Sequence, residues 1–304
     1  MQTNNTKIEI NNISKSFGEV KSLDNVTATI KQGSIFGLVG SNGAGKSTLL
    51  RIMSGIYRQD YGDVLYDGKT IYSNPEIKQD IIYVSDDLFF FPHSTLDDME
   101  DFYKRVYTNF DSERYRELCS MFRLERNRKI TTFSKGMQKQ AAMIFALSSS
   151  PKYLLCDETF DGLDPVMRQF VKRLIASDVA DRGMTPIIAS HNLRELEDNC
   201  DHVGLLHKGG ILFDKDVDDL RDNIHKVQLV VKDPDKLDLT KIHVVDFKRR
   251  GSILSLVVKG ERAECETFFA SLNPIFFEMI PLSLEEIFIS EMEEKGYDFA
   301  NIIL

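Results

Sequence analysis

A glycine-rich segment near the start of the chain places a lysine and two hydroxyl side chains in a pattern typical of phosphate binding. Residues 40–48 read Gly-Ser-Asn-Gly-Ala-Gly-Lys-Ser-Thr. Glycines allow the backbone to wrap round phosphate oxygens where larger side chains would clash. We expect Lys46 to supply positive charge for the β- and γ-phosphates, and the Ser47 hydroxyl to ligate Mg²⁺. The segment therefore predicts a site for a nucleoside triphosphate.

The flanking sequence supplies the elements that such a loop needs. An apolar run at 35–39 is typical of a buried strand, and residues 48–53 are compatible with a helix. A strand, a glycine loop and a helix in this order form a P-loop, in which backbone amides at the helix start face the anion. The predicted phosphate-binding residues are Ser41, Asn42, Gly43, Ala44, Gly45, Lys46, Ser47 and Thr48.

Two adjacent carboxylates, Asp157 and Glu158, follow an apolar stretch at 153–156. At the end of a strand, Asp157 can hold the Mg²⁺ that Ser47 also contacts. Glu158 is placed to act as a general base on an attacking water. The alternative is that the two carboxylates only begin a solvated loop. The P-loop upstream and the sequence Asp161-Gly162-Leu163-Asp164 downstream favour the catalytic interpretation.

Three more positions have both a structural and a functional interpretation. Phe17 is either a core residue or an aromatic face that stacks on a base. Ser134 begins an amphipathic stretch and is a natural helix N-cap, and the same helix start, with the Gly136 amide, suits a γ-phosphate. His191 follows an apolar run at 186–190; a lone histidine is usually structural, but ligands bind at the carboxyl edge of a parallel sheet.

Composition excludes several classes of protein. The 304 residues carry a formal charge of −9, which argues mildly against nucleic acid as the main partner. The four cysteines form no CxxC pair, so neither a disulfide framework nor a zinc site is expected. The polar N-terminus lacks a signal-peptide core, and the longest apolar runs are far shorter than the ~20 residues of a membrane span. A membrane role would have to come through a partner chain.

The order of predicted elements indicates an α/β nucleotide-binding domain at 1–220, with a helical subdomain at about 87–150, and a smaller accessory domain at 221–304. In the first domain, strands are expected at 7–10, 26–30, 64–66, 70–72, 152–156 and 185–190, and helices mainly within 94–149. In the second, strands are expected at 227–231, 242–247, 253–258 and 275–280, with a turn at Arg249-Arg250-Gly251 and helices at 263–272 and 283–293.

Taken together, the motifs resemble those of the ATP-binding subunits of ABC transporters, in the same order and over residues 7–220. They are Phe17 as the A-loop aromatic, 40–48 as Walker A, 133–138 (Phe-Ser-Lys-Gly-Met-Gln) as the signature, 153–158 as Walker B, 161–164 as the D-loop and His191 as the switch histidine. The resemblance implies a P-loop ABC-ATPase fold with a parallel core sheet, an antiparallel β subdomain and a helical subdomain. A small α+β C-terminal domain would follow.

The resemblance also implies a function: hydrolysis of ATP with Mg²⁺. Catalysis would depend on Glu158 and His191, and Asp161 would contact the nucleotide. Ser134 and Gly136 would contact nucleotide held by a second ABC ATPase subunit, identical or different, in a head-to-tail dimer.

Two positions depart from the family pattern. Lys135 occupies a place where the signature usually has glycine; at a helix start on the surface a lysine is sterically acceptable. Asp86, in Tyr83-Val84-Ser85-Asp86-Asp87, stands where a glutamine normally reaches Mg²⁺. An aspartate is shorter and anionic and lacks the donor capacity of an amide. Asp86 is therefore a third candidate metal ligand, beside Ser47 and Asp157.

As a member of such a family the chain would power a separately encoded transmembrane permease, more similar to bacterial drug or peptide exporters than to sugar importers. It would then be cytoplasmic and peripheral at the inner face of the cell membrane. The segment Phe89-Phe90-Phe91-Pro92, together with the helical region 94–149, is the expected docking surface for that permease. The alternative for the three phenylalanines is core packing. The alternative function is a soluble ABC ATPase that acts on nucleic acid or the ribosome; the single motif set and the acidic balance disfavour it. A binding module without turnover is opposed by Glu158.

Overall fold

The computed structural model describes residues 7–197, 199–234 and 237–294. The chain divides into two compact units, Met1–Asp214 and Lys215–Leu304. Within the described ranges, no helix combines the length and apolar character that crossing a membrane requires.

An antiparallel sheet in the first unit begins the chain. Its strands, in spatial order, are β2 (Val20–Lys31), β1 (Lys7–Phe17), β4 (Tyr61–Tyr66) and β5 (Lys69–Thr70). Ile8 lies opposite Ile30 on one side and Tyr66 on the other, and all three are buried. Asp67 and Gly68 connect the last two strands with φ of 51° and 75°, the left-handed values that a tight hairpin turn requires, as predicted. β5 ends two residues earlier than expected, because Ile71 turns into the core.

The central sheet has six strands and carries the site residues at one edge. Its order is β10 (Gly210–Asp216), β9 (His202–His207), β3 (Phe36–Val39), β8 (Thr185–Ser190), β7 (Tyr153–Asp157) and β6 (Ile81–Val84). The β3 strand pairs in parallel with β8 and β9, and β7 pairs in parallel with β6 and β8. Every residue of β3, β7 and β8 is buried, which is typical of parallel strands covered on both faces. The carboxyl ends of these strands therefore meet at one edge.

The helices of the first unit are α1 (Lys46–Met53), α2 (Pro75–Gln79), α3 (Leu96–Val106), α4 (Ser112–Phe122), α5 (Lys135–Ser148), α6 (Pro165–Arg182) and α7 (Leu193–Leu196), with a short 3-10 helix at Ile130–Thr132. These α-helices, except α1, begin at residues whose side chains cap them. Thr95 and Asp98 form a reciprocal capping box at α3. Between α3, α4 and α5, the Phe145 ring stacks on Tyr103 and Tyr115 with centroid distances of 4.8 and 5.8 Å. These rings give the helical region a core of its own.

The second unit is a four-stranded antiparallel sheet with helices. Its elements are α8 (Val217–Asn223), β11 (Ile224–Val230), β12 (His243–Arg250), β13 (Ile253–Lys259), α9 (Arg262–Ser271), β14 (Phe276–Ile280) and α10 (Leu284–Glu294), with strand order β12–β13–β11–β14. Val227, Leu256 and Phe269 belong to its small apolar core. The sequence predicts a turn at Arg249-Arg250-Gly251. In the structure Arg249 and Arg250 still belong to β12, and the chain reverses from Gly251, where φ is 62°.

All four cysteines (Cys119, Cys156, Cys200 and Cys265) are buried and free. Burial raises the pKa of Cys119 to about 11 and those of Cys156 and Cys200 to about 12.

Candidate active site

The glycine loop lies where β3 ends and α1 begins, as the sequence predicts. A Cβ at Gly40 would lie 2.4 Å from the Leu206 carbonyl oxygen, and one at Gly45 would lie 2.6 Å from the Ser22 carbonyl oxygen. Gly45 also has a φ of 110°, which favours glycine. It is the N-cap of α1 and provides no side-chain cap, so the first amides of this helix are available to an anion.

The Lys46 side chain folds back over its own loop and is only 5% exposed. Its Nζ donates to the carbonyl oxygens of Gly40 and Ser41 at 2.7 and 3.2 Å. The same nitrogen lies 3.2 Å from Glu158 Oε1. That carboxylate oxygen has no hydrogen-bond partner among the described residues, so the contact with Lys46 is an ion pair without hydrogen-bond geometry. The lysine and the glutamate, which are 112 positions apart, thus meet at the same point.

Asp157 is a buried carboxylate, 1% exposed, with hydroxyl partners on both oxygens. Ser47 Oγ donates to Oδ1 at 3.0 Å, and the Tyr83 hydroxyl donates to Oδ2 at 2.9 Å. No cationic side chain pairs with Asp157 in the described part of the chain. A buried, uncompensated charge of this kind costs several kcal/mol, and hard oxygen ligands suit a divalent cation such as Mg²⁺. The residues present therefore fit the metal that the sequence predicts.

Tyr83 was not identified from the sequence as a site residue. It lies in β6, which pairs with β7 in parallel, and this pairing brings its hydroxyl to Asp157. Burial is the main cause that raises the pKa of Tyr83, and the negative charge of Asp157 adds to it. The phenol therefore stays protonated at neutral pH and remains a donor to the carboxylate.

Glu158, His191 and Asp161 form a compact group beside Lys46. His191 Nδ1 lies 2.9 Å from Glu158 Oε2 and 3.8 Å from Asp161 Oδ2. One ligand atom from each residue lies within 4.8 Å of the others, a spacing that could hold a metal ion. The Lys46 ammonium at 3.2 Å from Glu158 opposes a second cation there, whereas it favours an anion. The group is therefore better suited to hold a water or phosphate oxygen.

A cavity of about 280 Å³ adjoins the loop. It is lined by Ser22, Asn42, Gly43, Gly45, Lys46, Ser47, Thr48, Asp86 and Glu158. Ser22 is a second residue that sequence reasoning missed; its Oγ donates to Thr48 Oγ1 at 2.9 Å. Asp86 reaches the same cavity, and its Oδ1 lies 3.0 Å from the Nζ of Lys139. The structure thus brings the predicted loop, Glu158 and Asp86 together in one space.

Phe17 lies at the end of β1 and is 45% exposed, which excludes the core interpretation. Its ring meets Tyr57 edge-to-face with a centroid distance of 5.5 Å, and Lys15 Nζ lies 5.4 Å from the Phe17 centroid. One face of the aromatic pair is thus available to a flat ligand.

The predicted signature residues are away from the cavity of their own chain. Ser134 is the N-cap of α5 and accepts a hydrogen bond from the Met137 amide at 3.2 Å, which confirms the capping interpretation. A Cβ at Gly136 would lie 3.1 Å from the Gly162 carbonyl oxygen, whereas Lys135 is exposed. The close approach at position 136 favours glycine there. Position 135 is exposed, so a lysine is accepted at that place.

The aromatic segment after Asp86 lies at the surface rather than in the core. Phe89 and Phe91 are exposed, and their rings meet edge-to-face at 5.8 Å. A groove of about 440 Å³ runs beside this segment, and its lining includes Phe89, Phe90, Tyr83, Tyr103 and Ala142. Exposed aromatic surface next to a groove is typical of a protein interface.

Comparison with known proteins agrees with this site. Residues 23–161 match the sequence profile of the ABC transporter family. The chain is 31% identical over 288 residues to the ABC transporter ATP-binding protein YtrB of Bacillus subtilis (strain 168), covering 95% of this chain and 99% of that protein. It is 28% identical over 295 residues to the bacitracin transport ATP-binding protein BcrA of Bacillus licheniformis, with coverage of 93% and 96%.

A solved structure shows the same fold. A dimeric bacterial ABC transporter cassette superimposes with a TM-score of 0.62 at 25% identity, over 69% of this chain and 98% of that one. The P-loop ABC-ATPase fold expected from the motifs is therefore confirmed. The similarity to these relatives covers the glycine loop and the paired carboxylates. The chain therefore belongs to the ABC transporter family as an ATP-binding, ATP-hydrolysing subunit.

Proposed function

We propose that ATP is hydrolysed between two subunits, with Glu158 as the general base and Mg²⁺ held by Ser47 and Asp157. The observation that carries this proposal is the position of the Glu158 carboxylate: Oε1 is ion-paired with Lys46 of the loop but accepts no hydrogen bond, and Oε2 lies on His191. Bound Mg²⁺ would neutralise phosphate charge. Asp86, whose Oδ2 is not used by Lys139, would approach the same cation.

The other site residues bind the nucleotide, orient the reacting groups and exclude water. Lys46 and the amides of α1 bind the β- and γ-phosphates, and Ser41, Asn42, Gly43, Ala44 and Thr48 complete the loop. His191 orients Glu158 and contacts the γ-phosphate and the attacking water. Phe17 stacks on adenine. Because Ser134 and Gly136 do not line the cavity of their own chain, they contact nucleotide bound by a second subunit, and Asp161 lies at that junction.

The groove beside Phe89 and Phe90 is the proposed docking surface for a transmembrane permease, which would place the subunit at the inner face of the membrane. The similarity to the bacitracin transport protein spans both units of the chain and supports a role in transport. Purification from membranes should recover a multi-span membrane protein with this chain. Recovery with ribosomes or nucleic acid instead would favour the alternative function, which the charge of −9 disfavours.

The substitution Glu158→Gln tests the catalytic proposal. We expect it to retain ATP binding and to lower kcat by about 10²–10⁴-fold, because a positioned base contributes that much. The variant should also accumulate as an ATP-bound dimer in size-exclusion chromatography. Glu117→Gln, which changes an exposed carboxylate on α4, is the matched control and should keep the rate of the unmodified protein. A Glu158→Gln protein that is monomeric with ATP and fully active would contradict both the base and the dimer.

A further inference from the structure

A lysine on the helix that begins at Ser134 connects two parts of the site. Lys139, in α5, donates from Nζ to Asp86 Oδ1 at 3.0 Å and to the backbone carbonyl of Glu158 at 2.9 Å. The Lys139 side chain is only 11% exposed, whereas that of Asp86 is 61% exposed. The ammonium is therefore held between a solvated carboxylate and the backbone of the proposed base.

Glu158 needs this support because its backbone is in an unfavourable conformation. Its φ is 47°, in the left-handed region that is unfavourable for a residue with a side chain. Its amide donates to the Ala189 carbonyl at 3.1 Å, and its own carbonyl accepts from the Asp161 amide at 3.3 Å. The bond from Lys139 is shorter than either and carries a full charge, which makes such a bond roughly twice as strong as a neutral one.

We infer that Lys139 is a positioning residue for ATP hydrolysis. It fixes the backbone of Glu158 and so holds the carboxylate between Lys46 and His191. The inference rests on the proposed role of Glu158 as base. Lys139 does not line the cavity at the loop, so it acts on the orientation of the base rather than on nucleotide binding.

Asp86 has a defined part in this arrangement. At a position where the family usually has a neutral glutamine, its carboxylate gives the Lys139 ammonium a counter-charge. Partial burial of an unpaired ammonium is unfavourable, so the ion pair with Asp86 holds the Lys139 ammonium in place, directed at the Glu158 carbonyl. The ion pair with Lys139 thus gives a reason for an aspartate at position 86, where the family usually has glutamine.

Steady-state kinetics of Lys139→Gln provide the first test. We expect kcat to fall by about 10- to 100-fold, because small misplacements of a catalytic group cost that much. The KM for ATP should stay within about 2-fold, since the loop contacts are untouched. Lys139→Arg should recover most of the rate, because it keeps a cation at this place. Lys152→Gln removes the 2.6 Å ion pair with Asp80 at the opposite end of β6 and β7, and it should leave kcat unchanged.

The decisive measurement repeats Lys139→Gln in the Glu158→Gln protein by single-turnover assay. If Lys139 acts through Glu158, the second substitution should add less than about 2-fold to the loss from the first. If Lys139→Gln lowers the rate of the Glu158→Gln protein as much as it lowers that of the unmodified protein, Lys139 acts elsewhere. That result, or an unchanged kcat for Lys139→Gln alone, would overturn the inference and leave the proposed base intact. If Glu158→Gln itself were fully active, the proposed base would fail and the inference with it. A KM increase with unchanged kcat would assign Lys139 to nucleotide binding.

Discussion

The two units of the chain bury different kinds of side chain. In the first unit, Lys46 and Asp157 are both buried. Lys46 is ion-paired with Glu158, whereas no cationic side chain of the described residues pairs with Asp157. In the described part of the second unit the core is apolar, and charged groups such as Lys226 and Glu286 pair where water still reaches them. Because burying a charge is costly, the first unit retains charges where a ligand would compensate them, and the described residues of the second unit show no such arrangement.

Other buried charges of the first unit sharpen this contrast. Asp178 is as buried as Asp157, but it is paired with both Arg114 and Arg182. Glu195 is paired with Arg168. These pairs hold helices together and are complete without a ligand. The difference between a structural and a functional buried charge is therefore its partner, not its burial.

The largest effect is expected for Lys46→Ala, which removes the cation of the glycine loop. It should abolish ATP binding and leave Glu158 without its ion pair. Titration calorimetry with Mg-ATP measures the affinity, and circular dichroism checks the fold. Micromolar affinity in a folded Lys46→Ala protein would contradict the assignment of the loop.

A smaller loss of affinity is expected for Phe17→Ala. Stacking on a base contributes about 1–3 kcal/mol, so ATP affinity should fall by roughly 5- to 150-fold. The ratio of ATP to GTP affinity should hardly change, because a ring face does not read base edges. Phe17→Tyr keeps the ring and serves as the matched control. A large change in nucleotide preference would argue against simple stacking.

Removal of the second unit tests the comparison directly. The sequence predicts that a chain ending near Asp219 folds and binds ATP with near-native affinity, because the accessory domain carries none of the motifs. We expect its ATPase rate to depend more strongly on protein concentration, if the accessory domain assists dimerisation. A truncated chain that keeps its circular dichroism spectrum but does not bind ATP would show that the second unit contributes to the site.

The smallest effect concerns Glu286 in the second unit. Partial burial opposes its ionisation, but hydrogen bonds from Lys226 and the Ser283 amide outweigh it and lower the pKa of Glu286. A lowered pKa in the folded state stabilises the protein above the unfolded pKa, and this stabilisation is lost as pH falls through the folded value. The side chain is 38% exposed, so screening limits the contribution to roughly 0.5 kcal/mol.

Glu286→Gln should therefore lower the melting temperature of the second unit by roughly 2–4 °C at pH 7. The difference should vanish in the acid range, where the unmodified glutamate is protonated as well. Glu278→Gln, which changes an exposed carboxylate on β14, is the control. A difference that persists unchanged at low pH would show that charge is not its cause.

Local sequence carried much of the information about this site. The glycine loop, the Ser134 cap and the Asp67-Gly68 turn each lie within a few residues, so their residue types alone predict them. Contacts across the fold were not predictable in the same way. Tyr83 meets Asp157 across 74 positions of sequence and Lys139 meets Asp86 across 53, and both contacts exist only because of the strand order and the packing of α5.

Strand length was also underestimated where polar residues interrupt the pattern. The prediction of a strand at 7–10 stops at Asn11, but β1 continues to Phe17. Register shifts between Ile10 and Ile13, with a φ of 52° at Asn12, allow the strand to pass two asparagines and still pair with β2. Alternation of apolar and polar residues does not reveal such an irregularity, because the bulged residues no longer alternate between the two faces.

The burial of all four thiols has a consequence for oxidative chemistry. With a pKa of about 11 for Cys119 and about 12 for Cys156 and Cys200, roughly one molecule in ten thousand or fewer carries the thiolate of each at pH 7. Peroxides and alkylating agents react with thiolates that solvent reaches, and these sulfurs offer neither condition. A cysteine introduced at the surface should therefore be labelled selectively without removal of the native ones.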